Sequence, residues 1–311
     1  MKICKSGLNL FTVRNIGLVL FFLGLESIHP HKAIAQGSPP ESNGQPWPTT
    51  ITPTTPAAKE KLSAGITLIQ QGNLGGAITA FQQAIALDPR LWQAHYNLGL
   101  ALGQRGDLQN AARAFAETIT LQPTFAVAYA NLGGILIDSQ NWLQAEPYLQ
   151  RALELDPNLA IAHYNLGLIY RHQGNRERAS QAWQQARQLA PDFPDPAIQL
   201  AELYLEGDRP EAAQPLIEAL LKTQPDLAAV HYLQGRLFIQ QGNLPEALQA
   251  FRTSSEKDST YANAYFAAAQ LLIQQNQTTA AIPLLDYALA LYGQQGQTPW
   301  FEAAQRLRQS L

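Results

Sequence analysis

The stretch Trp92–Pro123, WQAHYNLGLALGQRGDLQNAARAFAETITLQP, decides the fold. Trp92, Tyr96, Leu98, Leu100 and Leu102 are apolar residues around Gly99. Gly106-Asp107 interrupts, and Leu108, Ala111, Ala112, Phe115 and Ile119 resume at helical spacing. Two helices joined by a tight turn are predicted. Asp107 suits the N-cap of the second helix, because its carboxylate accepts from a free first-turn N–H. Pro123 ends that helix, since proline cannot extend the hydrogen-bond ladder.

The pattern recurs at a strict step of 34 residues, without insertion, over 58–91, 92–125, 126–159, 160–193, 194–227, 228–261 and 262–295. Position 20 of each repeat is alanine, from Ala77 to Ala281, and position 8 is glycine or alanine. Position 24 is large and apolar: Phe81, Phe115, Leu149, Trp183, Ile217, Phe251, Leu285. Small residues at 8 and 20 let two antiparallel helices approach toward the low end of the usual ~8–10 Å axis separation. The large residue at 24 is then expected to wedge into the next repeat. Repeat five departs from the pattern, because Gly207 comes one residue early and an adjusted interhelix turn is expected there. A longer period is superimposed: Ala94–Leu100 and Ala162–Leu168 both read AHYNLGL, and Val230–Arg236 reads VHYLQGR. This 68-residue recurrence reads either as duplication of a repeat pair or as evenly spaced anchors at Tyr96, Tyr164 and Tyr232.

The register resembles the tetratricopeptide repeat (TPR) family, with small residues at 8 and 20, a bulky residue at 24 and proline at 32. The resemblance covers 58–295. It implies an all-α fold, a right-handed TPR solenoid of antiparallel helix pairs. Residues 296–311 read as a C-terminal capping helix, with Thr298-Pro299 as N-cap and first-turn proline and Trp300, Phe301, Ala304 and Leu307 on one face.

Ahead of the repeats, Lys2, Lys5 and Arg14 precede the apolar run Ile16–Leu25, and Ala33-Ile34-Ala35 follows. That is the three-part pattern of a signal peptide over 1–35, with an uncleaved anchor as the alternative. An exported protein is expected, in a periplasmic, extracellular or other lumenal compartment. Residues 36–57 hold six prolines and five threonines and read as a disordered linker. Removal of 1–35 leaves 17 basic and 23 acidic residues, net −6, which argues against nucleic acid as partner. The one cysteine, Cys4, excludes a disulfide framework and a cysteine-ligated zinc.

No phosphate loop, nucleophile elbow or His-Glu-x-x-His run occurs. His95, His163 and His231 fall at position 4 of alternate repeats, roughly 20 Å apart by helix stacking, so one metal ion cannot bridge them. No catalysis, metal or cofactor is expected.

The resemblance implies that positions 2, 5, 6, 9, 12 and 13 line a concave groove. The candidate contacts are Tyr96, Asn97, Leu100, Asn131, Tyr164, Asn165, Leu168, Arg171, Tyr232, Arg236 and Phe266. Asn97, Asn131 and Asn165 form a ladder at position 6. An amide both donates and accepts, so it can pair with the backbone of an extended peptide whatever its sequence. The alternative is that these amides only link neighbouring helices. Position 5 never carries lysine, which argues against the two-carboxylate clamp of chaperone-binding TPR proteins. The expected function is a non-catalytic scaffold that binds peptide segments of other proteins. The competing expectation is a structural or self-associating solenoid acting through its ends or convex face.

Overall fold

The computed structural model describes residues 55–311. The expected signal segment 1–35 and most of the expected linker lie outside the described residues. Among the described residues there are fifteen α-helices and no strand. The chain begins with α1 (Pro56–Gln70), α2 (Leu74–Leu87), α3 (Trp92–Arg105), α4 (Leu108–Leu121), α5 (Ala126–Asp138) and α6 (Trp142–Leu155). It continues with α7 (Ala160–His172), α8 (Arg176–Leu189), α9 (Asp195–Glu206), α10 (Pro210–Thr223), α11 (Ala228–Gln240) and α12 (Leu244–Lys257). Last come α13 (Ala262–Gln274), α14 (Thr278–Gln294) and α15 (Thr298–Gln309).

The first helix starts at Pro56, two residues inside the expected linker. Thr55 caps it by accepting from the Ala58 N–H, and Pro56 takes the first helical position. Asn73, Asp107 and Asn175 accept from first-turn amides, as N-caps should. Asn141 and Asn243 hold the equivalent position without such a bond. The last helix is capped at Gln297 and not at Thr298, and no side chain bonds to its first turn.

The turn between paired helices needs one left-handed residue at position 15. Gly72, Gly106, Gly174 and Gly242 supply it with φ of 74–83°. In repeat five, where Gly207 is one residue early, Asp208 takes the left-handed conformation at φ 52°. Gln140 and Asn276 do the same at 61°.

The large residue at position 24 sits over position 8 of its own repeat, and Phe251 also packs with Ala268 and Leu271 of the next. A methyl group placed on Gly65, Gly99, Gly133, Gly167 or Gly235 would run into Phe81, Phe115, Leu149, Trp183 or Phe251 respectively. At Gly99 the added carbon would stand 2.8 Å from the Phe115 ring, well inside contact distance. All five side chains at 24 are fully or almost fully buried. Where position 8 is alanine, in Ala201 and Ala269, position 24 is aliphatic, Ile217 or Leu285, as it also is opposite Gly133.

The described chain divides into two compact bodies, one ending at Pro157 and one running Asn158–Leu311. In the first, α1 pairs with α2, α3 with α4 and α5 with α6, and the pairs join through α2 on α3 and α4 on α5. In the second, α7–α14 form four such pairs and α15 packs on α14. Trp300 of α15 stacks on Tyr292 and meets Phe266 edge-on, so the terminal helix closes an apolar end.

If the notch at position 8 sets helix spacing, Gly99→Ala should destabilise the protein by about 1–3 kcal/mol through overpacking. Adding Phe115→Leu should recover much of that loss, because it recreates the alanine–aliphatic pairing of Ala269 and Leu285. A thermal-melt cycle of the two single variants and the double variant checks this. Strict additivity would refute the coupling.

Candidate functional site

The expected groove positions fall on the first helix of each pair. In the first body, Tyr96, Asn97, Leu100 and Asn131 are all buried, between 0% and 2% exposed. The Asn131 amide donates to the Tyr96 hydroxyl across the α3–α5 gap at 3.3 Å. The Asn97 amide turns back onto the Gln93 carbonyl of its own helix at 2.8 Å. Asn131 thus links neighbouring helices, the alternative weighed from the sequence, whereas Asn97 bonds within its own helix and keeps a buried Oδ1 without a partner. Burial pushes the Tyr96 hydroxyl pKa up, against the Asn131 hydrogen bond.

The tyrosines at position 5 have an internal partner that sequence reading missed. Tyr96 meets Phe125 edge-on at 5.1 Å, Tyr164 meets Phe193 at 5.1 Å, and Tyr232 meets Tyr261 at 5.6 Å. Each partner is position 34 of the same repeat. Position 34 is aromatic in repeats two, four and six, and it is Leu91, Leu159, Leu227 or Gln295 in the others. The 68-residue recurrence thus coincides with a ring contact between positions 5 and 34 in repeats two, four and six, which comparing those positions would have found.

In the second body, Tyr164, Asn165 and Phe266 are buried, while Leu168, Arg171, Tyr232 and Arg236 remain partly exposed. Phe266 packs against Tyr292 and Trp300 at the closed end.

Three successive first helices, α7, α9 and α11, bring charges together here. Arg171 donates to the Gln199 side-chain oxygen at 2.8 Å, to Glu202 at 3.1 Å and to Glu206 at 2.6 Å. Glu202 holds Arg236 on its other oxygen at 3.6 Å. The side chains of Arg171 and Glu202 are only 9% and 8% exposed, that of Arg236 23%. Burial disfavours the Arg171 charge, yet Glu202 and Glu206 outweigh it and hold the guanidinium above its ordinary range. Arg171 and Arg236 were candidates from sequence. Glu202, which links them, was not, although the signs at positions 12, 9 and 9 of repeats four to six run plus, minus, plus.

The histidines at position 4 hold the chain to itself. His95 and His231 each bring Nε2 within 2.8–2.9 Å of a proline carbonyl six residues earlier, at Pro89 and Pro225. Tyr129 donates to Pro123 in the same way at 3.2 Å.

One carboxyl stands out. Asp138 ends α5 at position 13, and its Oδ2 is buried without a hydrogen-bond partner. Burial pushes its pKa up to about 6. At the same position in repeat six, Gln240 donates to the Leu205 carbonyl, 35 residues earlier, at 2.6 Å. A donor fits this place, and Asp138 supplies one only when protonated.

Known proteins place this geometry in a family. A family described as "TPR repeat" matches residues 65–106, and four described as "Tetratricopeptide repeat" match 93–125, 124–192, 198–262 and 238–297. No curated protein matches the chain in sequence. Among solved structures, a tetratricopeptide repeat protein of Parabacteroides merdae superposes with a TM-score of 0.61 at 15% identity, over 81% of this chain and 98% of its own. The pilF protein of Pseudomonas aeruginosa gives 0.59 at 18% identity, over 69% and 97%. At these identities the likeness is one of fold.

Two measurements test the assignments within the site. Asn131→Ala should lower stability by about 1 kcal/mol, the net worth of one hydrogen bond, read as a fall in the denaturation midpoint. The second is a pH profile. The unfolded Asp138 carboxyl titrates near 3.8 and the folded one near 6, so the folded state binds the proton more tightly. Its contribution is therefore complete below pH ~4 and lost as pH rises through ~6, on the order of 3 kcal/mol in total. Asp138→Asn should remove that decline. Asp195, which burial also pushes up, stays in both proteins, so the difference between their melting profiles isolates Asp138.

Proposed function

Because the chain belongs to the tetratricopeptide-repeat family, whose fold is a protein-interaction scaffold, we propose that it is a non-catalytic scaffold binding extended peptide segments of other proteins. The binding face is the first-helix side of α7, α9 and α11. Leu168, Arg171, Tyr232 and Arg236 are its partly exposed contacts, and the buried Tyr164 and Asn165 support the same helices. The Arg171–Glu202–Arg236 chain of charges across three successive helices carries this reading. Buried ion pairs add little net stability over apolar packing of the same volume. Their presence on this face therefore favours a role in recognition. Arg236 holds Glu202 at 3.6 Å and lies beside the Tyr232 side chain, and as the more exposed of the two arginines it can turn its remaining donors to a partner's carbonyls or carboxylates. Export, with a mature chain starting at Gln36, belongs to the same proposal, and N-terminal sequencing of the secreted form tests it.

The scaffold reading is tested by capturing partners with the full chain and measuring affinity for each with wild type, Arg236→Ala and Gln181→Ala. Gln181 lies exposed on the second helix α8. Arg236→Ala should weaken binding at least tenfold and Gln181→Ala should leave it unchanged. Equal affinity of all three favours the second reading, a structural or self-associating role through the ends or the second-helix side. A mass that rises with concentration in light scattering is that reading's own signature.

A further inference from the structure

In the same body, α12, α13 and α14 flank an apolar cleft of about 470 Å³. Its floor is Phe251, Ala264, Ala268 and Leu272, all buried. Its mouth is open between the exposed Arg252 and Ala280.

The cleft has a cause that the repeat register exposes. Position 28 of one repeat and position 7 of the next belong to the same junction. Within each body the pairs are Ile85 with Leu98, Ile119 with Leu132, Arg187 with Leu200, Leu221 with Gln234, and Ser255 with Ala268. At the first two junctions these aliphatic side chains are part of the apolar core. Every junction but the last keeps at least one branched aliphatic side chain. Ser255 and Ala268 have none, and both line the cleft. The space is where the repeat's own leucine and isoleucine would stand.

We propose that this cleft is a binding site for a small amphiphilic anion, an aromatic or branched-aliphatic body carrying one acidic group. The chemistry follows from the walls. The missing side chains define an apolar body, and the volume lies in the range of small-molecule sites, about 300–1,000 Å³. Arg252 is the one cation lining the cleft. Its ion pair with Glu256 uses Nε alone, at 3.0 Å between side chains 72% and 58% exposed, which is a weak, solvated pair. The two terminal nitrogens remain for an acidic group. Ser255 gives its hydrogen to the Arg252 carbonyl at 2.8 Å and also meets the Tyr265 side chain, so it is engaged by the protein itself. This site is separate from the α7–α9–α11 face, and neither reading depends on the other.

The test uses two fluorescent probes on the full chain: anilinonaphthalene sulfonate, which is apolar with one anionic group, and the uncharged phenyl-naphthylamine. Wild type should bind both with one-to-one stoichiometry. Ser255→Ile with Ala268→Leu restores the repeat's own side chains, and should weaken both probes at least tenfold while the melting temperature holds or rises. Ala280→Phe narrows the mouth from an exposed position without touching the floor. It should give the same loss, and it decides the matter if the refilled protein does not fold. Arg252→Gln should weaken the sulfonate at least threefold and leave the uncharged probe unchanged. Absence of probe binding by wild type, or equal binding by wild type and the folded blocked variants, overturns the site. Equal sulfonate affinity in Arg252→Gln overturns the anionic part of the assignment.

Discussion

The contact between the residue at position 8 and the side chain at position 24 of the same repeat controls how close two paired helices come. A glycine leaves a notch, and a phenylalanine or tryptophan ring fills it from the facing helix. The Trp183 ring also donates its N–H to the Tyr164 carbonyl at 3.1 Å, so the largest of these side chains is held by a polar tether as well as by packing. Helix spacing in turn fixes where the first-helix side chains fall. Tyr96 can reach Asn131, and Arg171 can reach Glu202, only when neighbouring helices keep their separation. The alanine–aliphatic pairs of repeats five and seven show a second solution to the same steric constraint, with the bulk moved from one helix to the other.

Most of the fold was legible because the constraint is local and repeats every 34 residues. A position that must be small and one that must be large show up as columns, and the helices between them follow from apolar spacing. What was not legible depends on pairs far apart in the sequence or on which of two acceptable geometries is chosen. The position 24 side chain was expected against the next repeat, and its seat over position 8 of its own was not foreseen, since one large residue can serve both. The left-handed turn residue was recognisable as glycine in four repeats, but at Gln140, Asp208 and Asn276 the backbone adopts it without that signal. The caps at Asn73 and Asn175 followed the rule, whereas Asn141 and Asn243 lack the bond.

The candidate site was legible by position but not by role. The register put Asn97, Asn131, Arg171 and Arg236 on first helices, and there they are. Whether such a side chain serves a neighbour or a partner depends on the residue 28 to 35 places away. Asn131 is tied to Tyr96 and Arg171 to Gln199, Glu202 and Glu206, and none of these ties shows in a single repeat. The two bodies differ in this respect. The first puts amide and phenol groups between its first helices. The second puts charges there, part of which reach the surface.

The alternation of aromatic and aliphatic residues at positions 5 and 34 has a consequence for how such a chain can lengthen or shorten. Tyr96 with Phe125, Tyr164 with Phe193 and Tyr232 with Tyr261 mark every second repeat as a different kind of part. The alternation holds over repeats one to six and lapses at the seventh, where Phe266 follows Tyr232 at position 5. Within those six, losing 34 residues would set two repeats of one kind in succession, whereas losing 68 would keep their order. A piece that preserves the alternation is therefore four helices long, twice the piece that the 34-residue period suggests.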